Sequence, residues 1–267
     1  MFEILNPVLR ILAVVLTLFV QVASADVLTN ILEKGTMRVG VALFIPHTMQ
    51  DKSGALSGFE IEVAKNLAGD LGASTEFKVY NWEDIIPALR NGEIDIILGG
   101  MAITPARALK ISFSQPYTES GIGLATNTKM TKKVKKLGDL NSPKYSVAVV
   151  ADTVAHDFVK RNFDKIEIKS FKTSEEATNA VSGGEVHVFV GSVPQPRFLA
   201  LSHPKKVDSP LTKPLLPYKI GMAVNKGEQE WLNFLNSWIT ARQADKWLTV
   251  THKYWFDNLS WRKGAGK

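Results

Sequence analysis

Cysteine is absent from all 267 residues. Disulfides, thiolate metal ligands and a cysteine nucleophile are therefore excluded. A lipid anchor at an export cleavage site also needs a cysteine, so an exported form is expected to be soluble. No low-complexity tract and no heptad run occurs. Beyond the N-terminus, no apolar run is long enough to span the ~30 Å of a bilayer core. The five histidines, His47, His156, His187, His203 and His252, lack metal-ligand spacing. No Gly-x-Ser-x-Gly nucleophile elbow is present. Neither a metal nor another cofactor is expected.

Apolar residues make up 45% of the chain, enough for one large domain or two small ones and too many for disorder. Arg10 precedes the apolar run Ile11–Val20, and Ala23-Ser24-Ala25 follows as a small-x-small pattern. This reads as a secretory signal peptide cleaved after Ala25, which places the mature protein in the periplasm. The formal charge is +6, and the leader's one Glu and one Arg leave it unchanged. The densest basic stretch, Lys129, Lys132, Lys133, Lys135 and Lys136, has no aromatics interleaved for stacking on bases. It reads as a solvated loop and helix edge rather than a nucleic-acid surface.

Strand and helix patterns alternate along the mature chain. Strands are expected at 38–43, 75–80 and 94–98, with helices opening at a Ser57-Gly58-Phe59-Glu60 capping box and running over 82–90. The order then repeats. Strands are expected at 145–150, 166–171 and 186–190, with helices capped by Asp152 and by a Thr173-Ser174-Glu175-Glu176 box. The phrase from Gly92 to Gly100 parallels that from Gly184 to Ser192, which suggests two lobes of like design. Such α/β alternation implies mostly parallel sheets flanked by helices, with ligand bound outside the strands' carboxyl ends. Two crossings, Ser114–Gly121 and Tyr218–Val224, would form a hinge. The expected division is 1–25 as signal peptide, 26–120 plus 218–267 as the first lobe, and 121–217 as the second. The tail from Glu228 to Trp261 holds five tryptophans and is expected to pack back onto the first lobe.

Four segments carry a family resemblance. Gly58-Phe59-Glu60-Ile61-Glu62-Val63-Ala64 resembles the "GFDvDla" helix start of family 3 extracellular solute-binding proteins. Trp82 to Leu89 resembles their aromatic-x-x-(L/I)-I-P-x-L helix. Asp95 through Ile103-Thr104-Pro105-Ala106-Arg107 resembles their I-T-x-x-R motif, and Phe113-Ser114-Gln115-Pro116-Tyr117 resembles "FSxPY". Order and spacing match over essentially the whole mature chain. The resemblance implies a two-lobed periplasmic-binding-protein fold of type II. It also implies a monomer that closes on a small carboxylate-bearing solute, an amino acid or something like one, and presents it to an inner-membrane ABC permease.

From the residues alone, Thr104 can cap a short helix with Pro105 at its first position, so Arg107 lies in a first turn beside free N–H donors. A carboxylate there would meet a guanidinium fork and a helix N-terminus together. The ordinary alternative is a surface arginine in a structural ion pair. The resemblance assigns Arg107 and Thr153 to the ligand carboxylate, main-chain groups of Gly100 and Ala102 to its polar head, and Phe44 and Trp82 to a sandwich of its side chain. The alternative for the two aromatics is plain core packing. At the end of the second lobe's last strand, where relatives carry an aspartate for the ammonium, this chain has Ser192. Either another acid substitutes, with Glu119 the first candidate and Asp152 the second, or the ligand has no free α-ammonium.

Two rival functions share the fold. Cyclohexadienyl dehydratases carry a lysine after the "PY" segment and a glutamate near the second-lobe strand end. Here Ser120-Gly121-Ile122-Gly123 and Gly191-Ser192-Val193-Pro194 supply no general acid, so no enzyme is expected. A ligand-sensing protein working with a receptor is the other alternative.

Overall fold

The computed structural model describes residues 26–257 and Trp261. The predicted signal peptide, residues 1–25, lies outside the described residues. Asp26 caps the first helix, its carboxylate accepting the Thr29 N–H at 2.8 Å. In chain order come α1 (Val27–Lys34), β1 (Thr36–Val41), β2 (Met49–Gln50), β3 (Leu56–Ser57), α2 (Phe59–Asp70), β4 (Ser74–Val79), α3 (Ile85–Arg90), β5 (Ile96–Ile97), α4 (Pro105–Ala108) and β6 (Ser112–Phe113). The long strand β7 (Thr118–Asn127) leads into β8 (Ser146–Val150), α5 (Val154–Asn162), β9 (Glu167–Phe171), α6 (Ser174–Gly183), β10 (Val188–Ser192), α7 (Gln195–Ser202) and β11 (Val207–Asp208). Then β12 (Pro217–Ile220) returns to β13 (Ala223–Val224), followed by α8 (Gln229–Ala244) and α9 (Trp247–Phe256).

Two helix-flanked sheets result, ordered β4-β1-β5-β13-β6 and β11-β7-β10-β8-β9. The strands expected to be parallel are so: β1 with β4 and β5, and β8 with β9 and β10. The other half of each sheet is antiparallel, because β7, β11 and β13 arrive by crossing or returning. β7 and β12 pair antiparallel along Thr118–Gly121 and Pro217–Ile220, so the two chain crossings are hydrogen-bonded to each other.

The two sheets share a side-chain device. A carboxylate oxygen of Asp95 accepts the backbone N–H of Arg38 at 2.7 Å. In the other sheet, Nδ1 of His187 accepts the backbone N–H of Ser146 at 3.1 Å. The residue at the fourth position of each phrase, Asp95 or His187, thus bonds to the backbone of the neighbouring parallel strand.

Trp231, Trp238, Trp255 and Trp261 join one core with Phe59, Leu67 and Met222, which seats the tail on the first sheet as expected. The indole N–H groups of Trp231 and Trp238 donate to the Asp95 carbonyl at 3.3 Å and to Asp70 at 2.7 Å, so these buried rings leave no donor unpaired.

Some local expectations change. Ser57 does not cap α2. It pairs with Met49 in the β2–β3 hairpin, and Gly58 stands at the cap position with φ +131°. The Phe59 and Glu60 N–H groups donate instead to the Pro46 and His47 carbonyls at 3.1 and 3.0 Å, so no side-chain cap is needed. Glu60 turns into the core, accepting from the Tyr117 hydroxyl at 2.6 Å and lying 2.9 Å from His47 Nδ1. The cap of α5 is Thr153, whose Oγ1 accepts the His156 N–H at 3.2 Å, while Asp152 sits one place earlier at φ +56°. The helix expected from Trp82 starts only at Ile85. The Thr173–Glu176 capping box forms as expected. Among the described residues no helix is long and apolar enough to cross a membrane.

Candidate functional site

Residues following the carboxyl ends of β1, β4 and β5 in one sheet face those following β8, β9 and β10 in the other, where such sheets bind ligands. Together they enclose a cavity of about 290 Å³. Arg107, Thr153, Trp82, Phe44, Gly100, Ala102 and Ser192 all line it.

Arg107 is placed by a two-residue device. Thr104 caps α4 by accepting the Arg107 N–H at 3.3 Å, and Pro105 fixes the first helical position. The guanidinium donates through Nη1 to the Ala102 carbonyl at 3.1 Å and through Nη2 to the Asp152 carbonyl at 3.2 Å. It also lies over Trp82, 5.3 Å from the ring centroid. Burial works against its charge and lowers its pKa, with Tyr218, Asp157 and Asp152 acting the other way. Among the described residues Arg107 forms no ion pair with a carboxylate. A partly desolvated cation held by neutral carbonyls has its charge uncompensated and can accept an anion.

Trp82 donates its indole N–H to the Asp152 carbonyl at 3.2 Å, so this carbonyl accepts across the cleft from Trp82 and Arg107 alike. The left-handed backbone at Asp152 accompanies that placement. Phe44 meets Trp82 edge to face, with centroids 6.4 Å apart and planes at 83°. Both line the cavity and meet at one corner of it. Phe44 stacks on the other side against His47 at 4.2 Å.

Gly100 adopts φ +64°, and a Cβ there would fall 2.7 Å from Phe44 Cζ and 2.8 Å from His47 Nδ1. The Phe44–His47 stack occupies the space a hydroxyl-bearing residue would need. The Thr153 hydroxyl donates to the Val150 carbonyl at 2.8 Å while capping α5, so its proton is already committed.

Ser192 accepts the Tyr218 hydroxyl at 2.6 Å. Burial raises the Tyr218 pKa, opposed by hydrogen bonds with Ser120 and Ser192 and by the charge of Arg107. This end of the site is a pair of neutral hydroxyls within electrostatic reach of the guanidinium. Glu119 is not brought to the cavity. It lies on the outer face, its side chain 71% exposed and paired with Lys219 at 2.5 Å. Strand alternation explains this: Glu119 is opposite Lys219 in register, and the next pair, Ser120 and Tyr218, faces the other way.

Sequence reasoning missed Tyr218, Lys172 and Glu175, which also line the cavity. Lys172 and Glu175 were legible only as the surroundings of a capping box. Tyr218 was legible only as an apolar return strand. Among the described residues no cluster of three potential ligands is placed to hold a metal.

The profile of the bacterial extracellular solute-binding proteins, family 3, matches residues 37–258. The L-cystine-binding protein TcyJ of Escherichia coli K12 is 27% identical over 238 residues, which cover 88% of this chain and 87% of that protein. Among solved structures, the lysine complex of an ABC-transporter binding component from Wolinella succinogenes is 28% identical with a TM-score of 0.81, covering 86% of this chain and 99% of the other. An ancestral amino acid-binding protein, a precursor of cyclohexadienyl dehydratase, is 33% identical with a TM-score of 0.79, covering 87% and 100%.

Proposed function

The chain belongs to the bacterial extracellular solute-binding proteins, family 3, and from that premise we propose that it is the substrate-binding component of an ABC-type amino-acid uptake system, capturing a small carboxylate-bearing solute between its lobes. One observation carries the ligand's chemistry: Arg107 is partly buried, roofs Trp82, and has neutral carbonyls rather than a carboxylate around it. A ligand carboxylate supplies the missing charge in bidentate geometry. Phe44, Trp82, Gly100, Ala102, Thr153 and Ser192 shape the remainder of the site in this reading, and Glu119 has no part in it.

The division into 26–120 plus 218–267 and 121–217 is supported by the sheets, which separate at the paired strands β7 and β12. An extracellular or periplasmic location is supported by the family, and cleavage after Ala25 by the small-x-small pattern Ala23-Ser24-Ala25. The partners in this reading are the ligand and a membrane permease, and the protein acts as a monomer. Binding without turnover is supported by the named functions of the relatives. One of them is a precursor of a dehydratase, so recovery of the ligand unchanged after long incubation is part of the test. The experiment is calorimetry of the mature protein against amino acids, their derivatives and small carboxylic acids. Saturable binding that Arg107→Ala removes supports the reading. Binding unaffected in a folded Arg107→Ala protein sinks it.

A further inference from the structure

We infer that the ligand carries no primary ammonium beside its carboxylate but an uncharged hydrogen-bonding group there, as in an N-acyl amino acid or a 2-hydroxy acid. The inference rests on the proposed anchoring of that carboxylate by Arg107. An ammonium enclosed in a cleft loses its hydration, a cost best offset by an anion in direct contact. The carboxylates around this cleft are otherwise engaged or set apart. Glu60 uses both oxygens on His47 and Tyr117. Glu119 faces outward against Lys219. Asp152 turns its carbonyl to the site. Glu175 is the one carboxylate among the described residues lining the cavity; it is exposed, in the first turn of α6 close after Lys172.

The uncharged polar group lining the cavity with Arg107 is the Tyr218–Ser192 pair, whereas Asp157 and Asp152, which also act on the Arg107 charge, do not line it. Tyr218 spends its proton on Ser192, which leaves the Ser192 proton and one lone pair for the ligand. A hydroxyl that both donates and accepts matches an alcohol or an amide. It gives an ammonium no compensating charge. The charge count agrees. Arg107 and Lys172 set two cations against the single Glu175 among the described lining residues. A zwitterionic amino acid, with no net charge, leaves that surplus of one in place. A carboxylate without an ammonium cancels it.

The test uses the mature protein and matched trios of ligands on leucine, glutamine, phenylalanine and arginine side chains: the free L-amino acid, its N-acetyl derivative and its 2-hydroxy analogue. Affinities come from calorimetry. The expected result is one trio or more in which an uncharged member binds at least tenfold tighter than the free amino acid, with the acetyl and hydroxy arms showing which it is. Ser192→Asp should reverse that order. Tighter binding of the free amino acid wherever binding is seen overturns the inference, and does so while Arg107→Ala still abolishes binding and the carboxylate anchor stands. Tenfold loss of a free amino acid in Glu175→Gln overturns it too, by locating the missing anion. Binding of none of the trios overturns both the inference and the reading beneath it. Should Ser192→Asp fail to fold, the ranking by the unaltered protein decides.

Discussion

Trp82 and Arg107 share one acceptor: the indole N–H and the guanidinium Nη2 each reach the Asp152 carbonyl at 3.2 Å, while the guanidinium lies over the indole ring. Both donors stand on the first lobe and the acceptor on the second. The proposed anchor of the ligand is therefore also a clasp between the lobes.

Arg107→Ala should abolish binding while leaving the fold intact. Losing a charge-assisted bidentate contact costs about 2–5 kcal/mol, or roughly 30-fold or more in affinity. The melting temperature of the protein without ligand should hold or rise, because a desolvated cation without an ion pair is removed. Calorimetry and thermal melts check both halves. A collapse in stability would make Arg107 a structural residue.

Trp82→Phe keeps an aromatic wall but deletes the N–H to Asp152. One neutral hydrogen bond contributes about 0.5–1.5 kcal/mol, so a several-fold loss of affinity is expected, with faster ligand release. Stopped-flow fluorescence measures the release rate. An unchanged rate would show that the clasp contributes nothing to closure.

Glu119→Gln should leave affinity within about twofold, since an exposed ion pair on the outer face contributes little. Titration of the variant with a verified ligand decides this. A tenfold loss would return Glu119 to the site.

Stability should fall as pH drops below about 6.5, the ordinary histidine value. Burial, and then the charge of Lys169, lowers the His187 pKa, and burial, and then His47, lowers that of His252. Their folded pKa values lie below the unfolded ones, so the unfolded chain takes up more protons across that window. The stability is present above the unfolded value and is lost as pH falls through the folded one. Protonating His187 also removes the acceptor for the Ser146 N–H. His187→Asn keeps an acceptor without titrating and should flatten part of the slope. Urea unfolding at a neutral and a mildly acidic pH reads it. An identical slope in the variant would acquit His187.

What the sequence disclosed was local. Thr104, Pro105 and Arg107 form a cap within four residues, so the site's anchor was legible. The tryptophan-rich tail was legible from helical period. What failed depended on register or on distant chain. Which of Glu119 and Ser120 faces the cleft is fixed by pairing with β12, about a hundred residues away. Ser57 looked like a cap because nothing local shows that the Pro46 and His47 carbonyls already take the helix N–H groups. The loss of a hydroxyl at Gly100 was visible, but its cause, the Phe44–His47 stack, was not.

The bonded pair β7 and β12 has a mechanical consequence. Two strands held edge to edge can bend and twist together, but sliding past one another would break every rung of the ladder. Relative motion of the lobes is therefore expected as bending and twisting of this pair rather than sliding, and a distance between them is the way to read it. Because the chain has no native thiol, cysteines substituted at Leu109, which is 80% exposed, and at Lys160 on α5 would take two dyes selectively. So labelled, the protein should act as an optical gauge, its energy transfer changing with ligand if binding closes the angle and staying constant if it does not.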